Sequence, residues 1–199
     1  MFQYLREAGY YIKWMGKNDA LTPDALASSV DDWKDFTNFD EVQEFIDNAP
    51  QQPYVLFLPT LGAHPQYKCN DDGISFDIDE AGYYSFWNNS TSMYDIDELR
   101  SKAPLRKSVA EGTKNKPDYW ENIPKFRNLT SLSEDFFLGL NACYLHMVTN
   151  VDTLLGKIIN AVDLDNTVIV TSADHGDFAG DAQLVEKVRI CDEHTKGAK

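Results

Sequence analysis

Two segments joined by a short connection constrain the fold most. Over residues 133–162, Phe136, Phe137, Leu140, Tyr144, Met147, Val151, Leu154, Leu155, Ile158 and Ile159 recur at helical spacing. Ser133, placed just ahead of Phe136 and Phe137, marks the start of that helix. After a turn at Asp165-Asn166 comes Thr167-Val168-Ile169-Val170-Thr171, uncharged and β-branched at every position, which predicts a buried strand. Helices alternating with buried strands are the signature of an α/β layered fold with a largely parallel sheet.

The rest of the chain supplies the other layers. Phe2, Leu5 and Ala8 share one face of a short helix that ends at Gly9, with no capping residue ahead of it. No basic segment followed by an apolar one precedes it, and a chain opening inside a helix–turn–strand unit reads either as incomplete at its N-terminus or as a compact domain with a short uncapped first helix. Tyr10 to Met15 reads as a strand ending at Gly16, followed by a loop containing Thr22-Pro23-Asp24. Residues 40–48 predict a helix capped by Asp40, and Tyr54-Val55-Leu56-Phe57-Leu58 predicts a strand buried on both faces. From 61 to about 130 the sequence is loop-rich, with helical hints only at 94–102 and 118–127, and reads either as a substrate-side excursion or as a mobile insert.

Charge and cysteine content exclude several functions. The 32 acidic against 18 basic residues give a net charge of −14, which makes a nucleic-acid backbone a poor partner. No apolar run is long enough to span a bilayer. Cys69, Cys143 and Cys191 show neither metal-ligand spacing nor the number a disulfide scaffold needs.

In open α/β sheets, ligands bind beyond the carboxyl ends of the strands. Each expected strand ends there in polar residues: Gly16-Lys17-Asn18-Asp19, Gly62-Ala63-His64-Pro65, and Ser172-Ala173-Asp174-His175-Gly176-Asp177. A turn at Gly176 would let Asp174 and His175 face one ion, and a carboxylate with an imidazole suits Ca²⁺, Mg²⁺, Mn²⁺ or Zn²⁺. Taken singly, each has an ordinary alternative: a turn-capping aspartate beside a surface histidine, a surface lysine at 17, and at His64 a loop histidine packed on Tyr67. Taken together, a cation with Lys17 and His64 around one hollow would stabilise a polyanionic transition state, as in phosphoryl or sulfuryl transfer.

The order of these blocks resembles the sulfatase family of the alkaline phosphatase superfamily. The blocks are helix-AGY-strand-GK, a buried strand before a loop HP, a long helix with VD, and NTVIVTSADHGD-x-x-G, with the resemblance greatest over 144–187 and least over 65–130. It implies a three-layer sandwich with helices on both sides of the sheet, residues 1–187 forming part of a catalytic domain and 188–199 a polar tail. Asp174 and His175 would be two ligands of a divalent cation, usually calcium. Lys17, His64 and Lys187 would contact the sulfate group of a sulfate-ester small molecule or glycan. Family members are usually exported or lysosomal.

The chain departs from the family pattern in three places. The nucleophile of the family is a cysteine converted to formylglycine in a Cys-x-Pro/Ala-Ser-x-Arg-like sequence, and none of the three cysteines stands in one. The Asp-Asp metal pair of the family is absent, and Asp19 occupies a position where histidine is common. The resemblance thus implies a sulfuric ester hydrolase whose nucleophile segment lies outside this chain, leaving the isolated chain inactive. A phosphoric or phosphonic ester hydrolase of the same superfamily, and a non-catalytic truncated product, are the two alternatives.

Overall fold

The computed structural model describes residues 1–35, 38–59, 63, 67–68, 75–78, 84–86, 94–102, 107–114, 116, 120, 122 and 129–187. They fall into two compact units: residues 1–62 with 150–169, and residues 63–149 with 170–199. The architecture is α/β.

The first unit is built on a parallel sheet of order β2-β1-β3, with β1 at Tyr11–Met15, β2 at Asp32–Lys34 and β3 at Tyr54–Phe57. β1 is central, pairing Trp14 with Trp33 on one side and with Phe57 on the other. Ile12 and Trp14 project from it into a small core with Leu26 and Val30, against which Phe2, Leu5, Val55 and Phe57 pack. Helix α1 (Phe2–Glu7) lacks a side-chain cap, and Phe2 sets its ring edge-on to both Trp14 and Phe57. Asp31 ties these pieces together: its carboxylate accepts from the Ile12 amide at 2.8 Å and pairs with Arg6 at 2.9 Å.

Local chemistry departs from the sequence expectation at three points in this unit. Thr22-Pro23-Asp24 starts a helix, α2 (Pro23–Ser29), rather than staying a loop, because the Thr22 hydroxyl accepts from the Ala25 amide and proline sits in the first turn. In α3 (Phe39–Asp47) the cap is Asn38, whose side chain accepts from the Glu41 amide at 3.0 Å, and Asp40 lies inside the first turn. β3 is half-buried along its length rather than buried on both faces, since among the described residues it lies at one side of the sheet.

In the second unit, β4 (Tyr67–Lys68), β5 (Ser75–Ile78) and β6 (Tyr84–Phe86) form an antiparallel meander within the excursion. Helices α4 (Ile96–Lys102) and α5 (Lys107–Glu111) follow. The long helix α6 spans Glu134–Ala161, its residues up to Thr149 in this unit and those from Asn150 in the first, and the Ser133 hydroxyl accepts from the Phe136 amide at its start. Phe136, Phe137, Leu140, Cys143 and Met147 project from α6 into a core shared with Val109, Leu129 and Val185. Cys143 is fully buried and disulfide-bonded, a bridge that three cysteines without regular spacing did not reveal. No helix among the described residues is long and apolar enough to cross a membrane.

The largest correction concerns Thr167–Thr171. The segment carries no regular structure and is exposed, with Val168 at 90% and Val170 at 84% relative exposure. β-propensity is local, but a strand exists only where a neighbour accepts and donates along its backbone. Among the described residues no strand does so for 167–171.

Candidate functional site

Lys17 stands where the parallel sheet of the first unit ends. Gly16 donates its amide to the Lys34 carbonyl at 2.8 Å, Lys17 donates to Pro59 at 3.2 Å, and the Trp14 indole N–H donates to the Gly16 carbonyl at 3.2 Å. The turn needs glycine: at Gly16 φ is +139°, and a Cβ there would lie 2.1 Å from the Pro59 carbonyl oxygen. Lys17 is thereby fixed at the carboxyl end of β1, where parallel sheets place their ligand-binding residues. Its ammonium pairs with Asp19 at 2.7 Å, so the aspartate at this position holds the lysine.

Asp174 and His175 belong to the second unit. His175 donates its backbone amide to one carboxylate oxygen of Asp174 at 2.9 Å, and its Nε2 lies 3.2 Å from the other. Its Nδ1 is 2.9 Å from the Gly176 carbonyl, an arrangement that orients the ring when that nitrogen carries the proton. The chain bends at Asp174, so the two adjacent side chains meet instead of pointing apart as they would in a strand. Both are exposed.

Lys187 follows a tightly closed loop, of which Gly180 is the one signal in the sequence. Phe178 donates to Glu186, Gly180 to Leu184 and Gln183 to Gly180, at 2.8–3.1 Å. Leu184 and Val185 are buried, the Phe178 ring meets Trp120 edge-on, and the Ser108 hydroxyl donates to Asp181. Gly180 has φ of +92°, and a Cβ there would lie 2.8 Å from the Phe137 ring. Ala179, Ala182, Gln183 and Glu186 all have positive φ, and among the described residues no other non-glycine does. Such conformations cost about 1–3 kcal/mol each and persist where surrounding structure holds them, as at functional loops. His64 lies outside the described residues; Ala63 beside it packs against the core of the second unit.

Tyr144, on α6, enters the sequence pattern only as one of its helically spaced positions. Burial, and next the carboxylate of Asp177, hold its phenol above the ordinary tyrosine value. A raised folded-state value contributes stability that is fully present below the unfolded value, near pH 10, and is lost as pH rises through the folded one. Thermal melts between pH 8 and about pH 11 should therefore show Tyr144→Phe losing less stability with rising pH than the parent chain. Parallel declines in the two proteins would contradict the burial of this phenol.

The sequence model of the sulfatase family, described as Sulfatase, matches residues 1–193. The chain belongs to the sulfatase family. Among curated proteins, this sulfatase-family chain is similar to arylsulfatase K of Canis lupus familiaris, at 28% identity over 133 residues. That match covers 64% of this chain and 23% of the relative, so the chain spans well under half of that protein's length. No solved structure matches it. Sulfatases generally use a divalent cation and act on sulfate esters.

The donor chemistry of Asp174 and His175 fits such a cation. Two donors bound side by side to one ion at about 2.4 Å stand roughly 3–3.5 Å apart, and the carboxylate oxygen and imidazole nitrogen here are 3.2 Å apart. Among the described residues no third acidic, histidine or cysteine side chain joins them.

Proposed function

We propose that this chain forms part of a sulfuric ester hydrolase. Residues 1–187 constitute a portion of its catalytic domain, and the 61–130 excursion lies on the substrate side. In this reading Asp174 and His175 hold Ca²⁺, the carboxylate oxygen favouring a hard ion over a thiophilic one. The bound cation would polarise a sulfate oxygen and offset the charge that develops on it.

Lys17, His64 and Lys187 bind the remaining oxygens. The two ammonium groups offer charge-assisted hydrogen bonds and the imidazole a further donor, and all three strengthen as negative charge accumulates in the transition state. Asp19 pairs with the Lys17 ammonium at 2.7 Å and would restrain it. The closed loop at 178–186 gives Lys187 a rigid base, so little ordering remains to be done when the anion binds. The attacking group is supplied from outside residues 1–199, since Cys69, Cys143 and Cys191 lack the surrounding sequence that conversion to formylglycine requires.

The observation that carries this reading is the contact between Asp174 and His175 inside a chain matched to the sulfatase family over residues 1–193. The test uses 4-nitrophenyl sulfate and 4-nitrophenyl phosphate with Ca²⁺ present. The purified 199-residue chain should hydrolyse neither. A polypeptide joining it to a segment that bears the formylglycine cysteine should cleave the sulfate in preference. Preference for the phosphate would instead support a phosphoric ester hydrolase of the same superfamily. Turnover by the isolated chain, abolished in Asp174→Ala, would place the nucleophile within it and contradict the assignment.

A further inference from the structure

Helix α5 holds the loop ahead of Lys187 at both ends of a single turn. The Gly112 amide donates to the Ser108 carbonyl at 2.9 Å, which brings these two residues to one side of the helix. From that side the Ser108 hydroxyl donates to the Asp181 carboxylate, and a Cβ at Gly112 would lie 3.0 Å from the side-chain carbonyl oxygen of Gln183. We propose that Ser108, acting through Asp181, is a positioning residue for Lys187, holding that lysine where it meets the sulfate group. The inference rests on the role proposed above for Lys187 and adds a residue to it.

The loop's internal bonds fix its shape but not its place on the unit. Phe178 donates to Glu186, Gly180 to Leu184 and Gln183 to Gly180, all within the loop. Val185 is buried in the core that also takes Val109 of α5. Such burial holds the loop down without fixing its direction, because the hydrophobic effect is non-directional. A hydroxyl donating to an ionised carboxylate is directional, and roughly twice as strong as a bond between neutral groups.

Release of that bond would be felt at the lysine. Ala182, Gln183 and Glu186 stand at φ of +53°, +59° and +63°, conformations that persist only where their surroundings hold them. Lys187 follows directly on Glu186, whose carbonyl closes the loop, so a tilt of the loop carries the lysine with it. A lysine is a compact charge on a flexible stem, and its backbone anchor sets what the ammonium can reach.

Sulfate titrated into the isotopically labelled 199-residue chain with Ca²⁺ present, followed by NMR, tests this together with amide hydrogen exchange. Ser108→Ala should speed exchange of the Gly180 and Leu184 amides at least about tenfold and leave Leu140 of α6 unchanged. It should weaken sulfate binding at least about threefold, whereas Ser108→Thr, which keeps the hydroxyl, should stay within about twofold of the parent. In a Lys187→Ala background Ser108→Ala should cost no further affinity, an outcome that general loosening of the fold would not give. Sulfate affinity unmoved by Ser108→Ala, a threonine variant as weak as the alanine one, a loss that persists without Lys187, or exchange rising equally at Leu140 would each overturn the positioning role. If Lys187→Ala alone leaves sulfate binding unchanged, the role of Lys187 itself fails, and that of Ser108 with it.

Discussion

Gly16→Ala is expected to destabilise the chain by about 3–5 kcal/mol, a large part of the roughly 5–15 kcal/mol that holds a domain folded. Two costs combine at this position. The backbone sits at φ of +139°, where a side chain is strained, and the added methyl would stand 2.1 Å from the Pro59 carbonyl oxygen. That oxygen belongs to backbone, and it also accepts the Lys17 amide, so relief requires β1 and the segment after β3 to separate. Denaturant unfolding followed by tryptophan fluorescence should show a lowered midpoint. Gly156→Ala is the control: it lies within α6 with nothing within 4 Å of the new methyl, and helix propensity there favours alanine by up to about 1 kcal/mol. Equal stability of Gly16→Ala and the parent would contradict the close approach that positions Lys17.

The second large effect is on cation affinity. Asp174→Ala removes one of two adjacent donors and should weaken Ca²⁺ binding to the chain at least about tenfold, or 1.4 kcal/mol, as read by isothermal titration calorimetry. The Asp174 side chain is 83% exposed, so the substitution leaves packing intact and the loss reports on the ligand itself. Asp165→Ala, which removes an equal charge from another exposed position, should leave the affinity within twofold or so. If both substitutions weaken binding equally, the chain attracts calcium through its general negative charge and the pair at 174–175 is not the site.

The legible parts of this chain were those whose signal is repeated many times over. Ten apolar residues at helical spacing announce α6 because each turn restates the pattern, and Ser133 caps it as expected. The end of β1 at Gly16-Lys17 was likewise readable, since a strand ending in glycine marks a turn. Elements that depend on one side chain finding one amide were harder. Asn38 and Asp40 are both competent caps, and the choice between them rests on backbone angles that composition does not encode. Pairing was least legible of all. Tyr11–Met15 and Thr167–Thr171 have similar propensity, yet the first has neighbours on both sides and the second has none among the described residues. At the site, Asp174-His175-Gly176 and Lys187 were visible as residue types, whereas the loop between them was not. Its four positive-φ residues are alanine, glutamine and glutamate, which carry no turn signal, and the loop's other contacts are to Phe137, Ser108 and Trp120, distant in sequence.

In the proposed reading, Lys17, His64 and Lys187 would bind the oxygens of a sulfate beside a cation held by Asp174 and His175. Mn²⁺ titrated into isotopically labelled chain tests it most directly, because a bound paramagnetic ion broadens the amide resonances near it. Broadening at Asp174 and His175 should be accompanied by broadening at Lys17, His64 and Lys187, and all of it should vanish in Asp174→Ala. Broadening confined to residues 173–178, with Lys17, His64 and Lys187 left sharp, would contradict the claim.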